Sequence, residues 1–409
     1  MSWPLRTELK RGVGLWASVP LVVAGVAVVL AHPRDWAGDW YGWAFYLRTM
    51  LIVFGPLVVA VAAWQGGRER RRGLDELLES TSRAPLHRMS ASLASPAAWS
   101  LVAFAVVATA MGALTFSYAT YGNPPFLLAL SAAAAVLMFA ALGFVIGQLV
   151  PWRVTAPLLA IATYVGLAAV SYSPDKATYL SPGVQLFSTD LPAAWWGPAT
   201  LVVFLAVGLA ALLVLGPRSR WLSPVALAVA VVAATPVVQT GRDAFTADLA
   251  AEQLTCADGA PQVCLTQRHA GQLPQVAEAV QQVLRGLDAP ARVAEQQFGD
   301  GLGSSTGTLN TLYVGPDLFG DSELRVLRQD AAQLAVGWRC GDEPFPPSDD
   351  LAVATFDIVD WVRDRPDPPF TGVLQGRSEV QALALVNALA PLAARCDTAA
   401  IRALLAAPP

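Results

Sequence analysis

Gly303-Ser304-Ser305-Thr306-Gly307 has the G-x-S-x-G spacing of a nucleophile elbow. An elbow needs a strand before it and a helix behind it, so that the serine hydroxyl stands on a sharp turn. Here Thr308 to Asp317 read as strand or loop, and Gly299, Gly301, Gly303 and Gly307 make the segment a flexible turn. His269, the base such a serine would need, lies upstream, out of the hydrolase chain order. A second group is the even set Cys256, Cys264, Cys340 and Cys396. The spacings are not those of a zinc ribbon or finger, and His269 is the only histidine nearby. Two disulfides are the expectation, and of the three possible pairings Cys256–Cys264 with Cys340–Cys396 is favoured, because the first closes a short loop before a helix. Unpaired core cysteines are the alternative. A P-loop needs a lysine in a glycine-rich turn. Lys10 and Lys176 are the only lysines, and neither sits in one. There is no H-E-x-x-H, and Asp349-Asp350 in its proline-rich loop reads as solvated surface. These residues point away from an enzyme, and from a metal or cofactor held by this chain.

The segment GRERRRGLDELLESTSRAPLHR, Gly67 to Arg88, is different: a short charged stretch between two apolar runs. Leu74, Leu77 and Leu78 fall at i, i+3 and i+4, one apolar stripe on a helix. Arg71 with Asp75 and Arg72 with Glu76 are i,i+4 pairs of opposite sign, each worth a few tenths of a kcal/mol. Gly73 lowers helix propensity by about 1 kcal/mol and permits a bend or a close approach. Ser82-Arg83-Ala84-Pro85 breaks the helix. Three readings fit: a basic anchor for the preceding span, a stripe lying on lipid headgroups, or a docking helix whose leucines fill a groove on another subunit.

The elements that must position this segment are membrane spans. The chain is 55% hydrophobic and 14% charged, with a mean hydropathy of +0.47, where a soluble domain carries charge on roughly a quarter of its residues. Apolar runs near span length occur at Val13–Ala31, Ala44–Gln65, Ala97–Ser117, Phe126–Val150, Val154–Val170, Gly197–Gly216 and Leu222–Gln239, the fifth being the shortest. With the N-terminus inside, the inner segments hold Arg6, Lys10, Arg11, Arg68, Arg70, Arg71, Arg72, Arg83, Arg88, Arg153, Arg218 and Arg220, and the outer loops only Arg34, Arg48 and Lys176. The positive-inside rule therefore predicts a cytoplasmic N-terminus and a C-terminal domain outside the cytoplasm of a cell membrane. The span interiors lack ionisable residues, and Arg48, near the outer end of the second run, is expected to snorkel to the interface. That disfavours an ion-coupled carrier. Ser131, Ala135, Gly143 and Gly147 put small residues four or eight apart on the fourth span, a helix-packing signal. Trp36, Trp40, Tyr41 and Trp43, with Trp195 and Trp196, read as an interfacial aromatic belt.

The run Arg68-Glu69-Arg70-Arg71-Arg72-Gly73-Leu74-Asp75-Glu76-Leu77-Leu78-Glu79-Ser80-Thr81 resembles the cytoplasmic segment after the second span of type-2 ABC exporter permeases. Leu74 and Asp75 stand where that family more usually has Thr then Leu. The resemblance covers about Met1 to Gly216. It implies a coupling helix near residues 68–80, with Arg70, Arg71, Gly73, Leu74, Glu76, Leu77 and Leu78 docking a cytoplasmic ATP-binding subunit. It also implies a homodimer or heterodimer with a related permease, ATP held on the partner, an amphipathic N-terminal segment at Met1–Gly12, and re-entrant helices within Tyr172–Trp196.

From Gly241 to Pro409 the composition is that of a soluble domain, with nearly twice as many acidic as basic residues. That balance argues against a nucleic-acid partner. Helices are expected at Leu273–Leu287, Glu323–Trp338, Leu351–Val362 and Glu379–Arg395, and strands at Gln262–Thr266, Arg292–Gln296 and Thr311–Val314. The expected architecture is an all-α polytopic membrane domain of seven transmembrane helices, residues 1–240, permease-like, followed by an α+β extracytoplasmic domain, residues 241–409. A membrane-anchored receptor or assembly factor, acting through that outer domain without transport, is the alternative.

Overall fold

The computed structural model describes residues 12–31, 36–73, 85–184, 190–215, 220–288, 290–295, 311–312, 321–336, 349–365 and 368–407. They form two compact units, Met1–Ser117 with Gly122–Asp248, and Tyr118–Tyr121 with Leu249–Pro409. The first unit therefore runs past residue 240. The strand that follows the last apolar helix pairs back onto a loop of the membrane unit.

In the first unit the helices are α1 (Val13–Ala31), α2 (Trp40–Thr49), α3 (Leu51–Gly66), α4 (Arg68–Arg71), α5 (Pro85–Tyr118), α6 (Phe126–Leu149) and α7 (Thr155–Ser171). A 3-10 turn, Lys176–Leu180, and strand β1 (Asp190–Pro192) precede α8 (Trp196–Val214) and α9 (Ser223–Thr240). Strand β2 (Phe245–Ala247) then pairs antiparallel with β1. Among the described residues five helices are long and apolar enough to cross a membrane, and α2 with α3 makes a sixth if that pair, bent by 43°, is one span. α7, the shortest of the seven expected, is an apolar helix of 17 residues.

α2 begins at Trp40 because the Asp39 carboxylate accepts from the backbone N–H of Tyr41 and Gly42, at 3.1 and 3.2 Å, an N-cap that satisfies two orphan donors. Pro56 denies the carbonyl of Ile52 its helical donor just after the break at Met50.

α6 is the central helix: its most apolar stretch is 67% buried, against 22% for α1 and α9. Its small residues are the cause. A Cβ on Gly143 would fall on the carbonyl of Val59, and one on Gly147 on the carbonyl of Ala63, while Gly66 of α3 lies against the carbonyl of Phe144. Backbone therefore meets backbone along α3 and α6. On the other side, Gly208 of α8 faces Met138.

The second unit holds a four-stranded sheet, β3 (Leu254–Ala257), β4 (Gln262–Thr266), β5 (Arg292–Glu295) and β6 (Thr311–Leu312), in that spatial order. β3 runs antiparallel to β4, and β4, β5 and β6 are parallel. The crossover from β4 to β5 is α10 (Leu273–Leu284), whose Val276, Val280, Val283 and Leu284 are buried. α11 (Asp321–Val336), α12 (Asp349–Arg363), α13 (Glu379–Ala394) and α14 (Thr398–Leu405) complete a core that includes Val263, Val293, Ile358, Trp361 and Val386. Arg365 closes the end of α10, donating from Nη1 to the carbonyls of Val283 and Arg285 at 3.2 and 2.6 Å. Tyr118, the last residue of α5, and the three residues after it belong to this unit: Thr120 Oγ1 donates to the carbonyl of Arg268 at 3.1 Å.

Candidate functional site

The described part of the segment after α3 is short and tied to its neighbours. α4 has four residues, and Gly73 follows with φ +64° and nothing within 4 Å of where a Cβ would stand. That left-handed backbone ends a right-handed helix. The helix that begins at Arg68 therefore ends at Arg71, ahead of Gly73. Leu74, Asp75, Glu76, Leu77 and Leu78 lie outside the described residues, as does the N-terminal segment to Arg11.

Glu69 and Arg71 hold α4 to its neighbours. Glu69 accepts from the Ser92 hydroxyl of α5 at 3.2 Å. The Arg71 guanidinium folds back over the Trp64 ring, 4.7 Å from its centroid, and Nη2 donates to the Trp64 carbonyl at the end of α3. Partial burial, then the charges of Arg153 and Arg72, lower the pKa of Arg71 from its ordinary value. Arg71 thus caps α3, while Arg70 and Arg72 are exposed. α4 is therefore tied to both α3 and α5.

The second site is one the sequence reading placed wrongly. Arg48 does not snorkel: it is fully buried. α2 starts at Trp40 rather than near Ala44, so Arg48 lies about 12 Å along the helix from its first residue at 1.5 Å per residue. Nη1 donates to Ser131 Oγ of α6 at 3.0 Å and to Thr200 Oγ1 of α8 at 3.4 Å, and Nη2 donates to the Ser181 carbonyl at 2.9 Å. The guanidinium carbon stands 4.5 Å from the Trp196 ring centroid and 5.5 Å from that of Phe204. Among the described residues no carboxylate pairs with it.

The aromatic belt is corrected with it: Trp36, Trp40, Trp43 and Trp196 are buried in the protein, and Trp196 is the platform beneath Arg48. The segment between α7 and α8 does enter the fold, though without a half-helix among the described residues. Ser181, Pro182, Gly183 and Val184 form a buried turn whose Gly183 packs on Ile52. Of the four packing residues, Ser131 supplies an acceptor to Arg48, Ala135 is buried in α6, and Gly143 and Gly147 seat α3. The clue available in the sequence was Asp39: a cap there starts the helix early enough to carry Arg48 inside.

In the second unit Cys256 and Cys264 face each other across β3 and β4 and form a disulfide, S–S 2.05 Å. Cys396 is also disulfide-bonded, and Cys340 lies outside the described residues. Gly303–Gly307 lies outside them too, and among the described residues no cluster of side chains has the makings of a metal site.

These features define the class: a mainly helical membrane protein that carries a disulfide-bonded unit of helices and a small mixed sheet. No protein-family model matches the chain, and no curated protein or solved structure matches it.

Proposed function

We propose that this chain is the membrane subunit of an ATP-driven exporter of the ABC type. A separate cytoplasmic subunit binds and hydrolyses ATP, and this chain, dimeric with itself or a related permease, converts that cycle into movement of a substrate across the cell membrane. The observation that carries the reading is the tethering of the inner segment. α4 is held to α3 through Arg71 and to α5 through Glu69, so a partner docked on residues 68–80 would pull on two apolar helices at once. Neither tie is needed if the arginines serve only as an anchor.

The arrangement of loops supports a common outer face. β1, from the loop before α8, pairs with β2, from the segment after α9, and Lys176 Nζ donates to the carbonyl of Gln239 at the end of α9 at 2.9 Å. In this reading the N-terminus is cytoplasmic and the disulfide-bonded unit lies outside, where an oxidising compartment preserves its cystines.

The test is affinity purification of the full chain from its own cell membranes. A P-loop ATPase is expected to co-purify with the native chain and to be lost with Leu77→Asp combined with Leu78→Asp. Retention of the complex by that variant would sink the docking claim. The receptor or assembly-factor reading draws on the self-contained core of the second unit. It wins if that unit alone carries the full biological activity.

A further inference from the structure

A guanidinium has five N–H donors, and a buried charge is tolerated when it is paired. Around Arg48 the donors outnumber the acceptors. Nη1 has two partners, Nη2 has one, and Nε has none. The hydroxyls that face it have no further capacity to lend as counter-charge: Ser131 Oγ donates its own proton to the Leu128 carbonyl at 2.7 Å, and Thr200 Oγ1 donates to the Gly197 carbonyl at 3.0 Å. Trp196 Nε1, on the ring that underlies the guanidinium, is likewise buried without a partner. The cluster is thus a cation, two aromatic faces and a surplus of N–H groups. An ionisable residue inside a membrane domain is a functional-site hypothesis by default, and surplus N–H donors on a cation call for an anionic acceptor.

We infer that Arg48 is the recognition point for the anionic headgroup, a phosphate or carboxylate, of a membrane-resident amphiphile. The headgroup supplies the acceptors that Nε and Nη2 of Arg48 and Nε1 of Trp196 lack. The amphiphile is preferred to a free ion because α6 and α8, which bring Ser131, Thr200 and Trp196 to the site, are both long and apolar enough to cross a membrane, so that acyl chains rather than water adjoin them. Access requires the wall to part, and the non-helical stretch of that wall is Ser181–Val184, held to Arg48 through the Ser181 carbonyl. As the class of molecule moved, this rests on the exporter reading. As a binding site it does not, and its test needs neither ATP nor a partner.

The full-length chain in a neutral maltoside micelle is titrated with radiolabelled dodecyl phosphate, with dodecylphosphocholine and inorganic phosphate as competitors. Saturable binding is expected, weakened at least tenfold in Arg48→Gln and displaced poorly by the zwitterion. Equal binding by native protein and Arg48→Gln overturns the site. Displacement by inorganic phosphate at the same concentration as dodecyl phosphate overturns the amphiphile part and leaves a free-anion site. Should Arg48→Gln fail to fold, Ser131→Ala decides. It frees an Nη1 donor and is expected to tighten binding severalfold, whereas unchanged or weaker binding counts against the site.

Discussion

Arg48 lies in α2 and Arg71 ends α4, before and after α3 in the chain, and each is built alike. Both lay a guanidinium over a tryptophan, at 4.5 and 4.7 Å, and both reach a backbone carbonyl. What differs is water. Arg71 is half-buried beside the exposed Trp64, with Arg72 and Arg153 close by. Arg48 is sealed beneath Trp196 with neutral acceptors alone. One interaction therefore serves as a helix cap where solvent screens the charge, and as an unsatisfied receptor where solvent is excluded, since the same charge costs far more to keep in a low-dielectric surround.

The comparison breaks most completely at α3 and α6, which carry Trp64 beside Arg71 and Ser131 beside Arg48. Gly143→Leu drives a side chain into the Val59 carbonyl, and backbone cannot step aside as a flexible side chain can. A loss of about 3 kcal/mol or more is expected, read as loss of monodisperse protein and a collapsed thermal transition in detergent. Next comes the ring under each arginine. Trp196→Ala removes a fully buried side chain and is expected to cost about 3–5 kcal/mol. The same change at Trp64, 41% exposed, costs under about 1 kcal/mol. Equal shifts in Tm for the two would dissolve the contrast. The smallest effect belongs to Arg71→Met, a few tenths of a kcal/mol that vanish in high salt. A large salt-independent loss would show that Arg71 is as sealed as Arg48.

Local pattern made much of the fold readable. Gln262–Thr266 is a strand with the expected ends, and the helices expected from Leu273, Glu323, Leu351 and Glu379 all form, ending within three residues of where periodicity ends them. The disulfide between Cys256 and Cys264 followed from spacing and compartment. The Arg48 site was illegible for a physical reason: its partners Ser131, Ser181 and Thr200 lie 83, 133 and 152 residues away. Hydropathy averages a lone arginine into an apolar run and carries no record of which distant hydroxyls converge on it. Short elements were missed as well. β1 and β2 have three residues each, and no period-2 pattern can be read from three positions.

The two sites can be separated in one preparation. The chain is reconstituted in lipid vesicles with the ATPase that the proposal expects to co-purify, and ATP hydrolysis that depends on the membrane subunit is measured beside dodecyl phosphate binding. The account predicts that Leu77→Asp with Leu78→Asp abolishes the subunit-dependent hydrolysis and binds the amphiphile as the native chain does, while Arg48→Gln does the reverse. Undiminished subunit-dependent hydrolysis with the paired leucine substitutions would contradict the central claim, that the segment after α3 is where an ATPase takes hold.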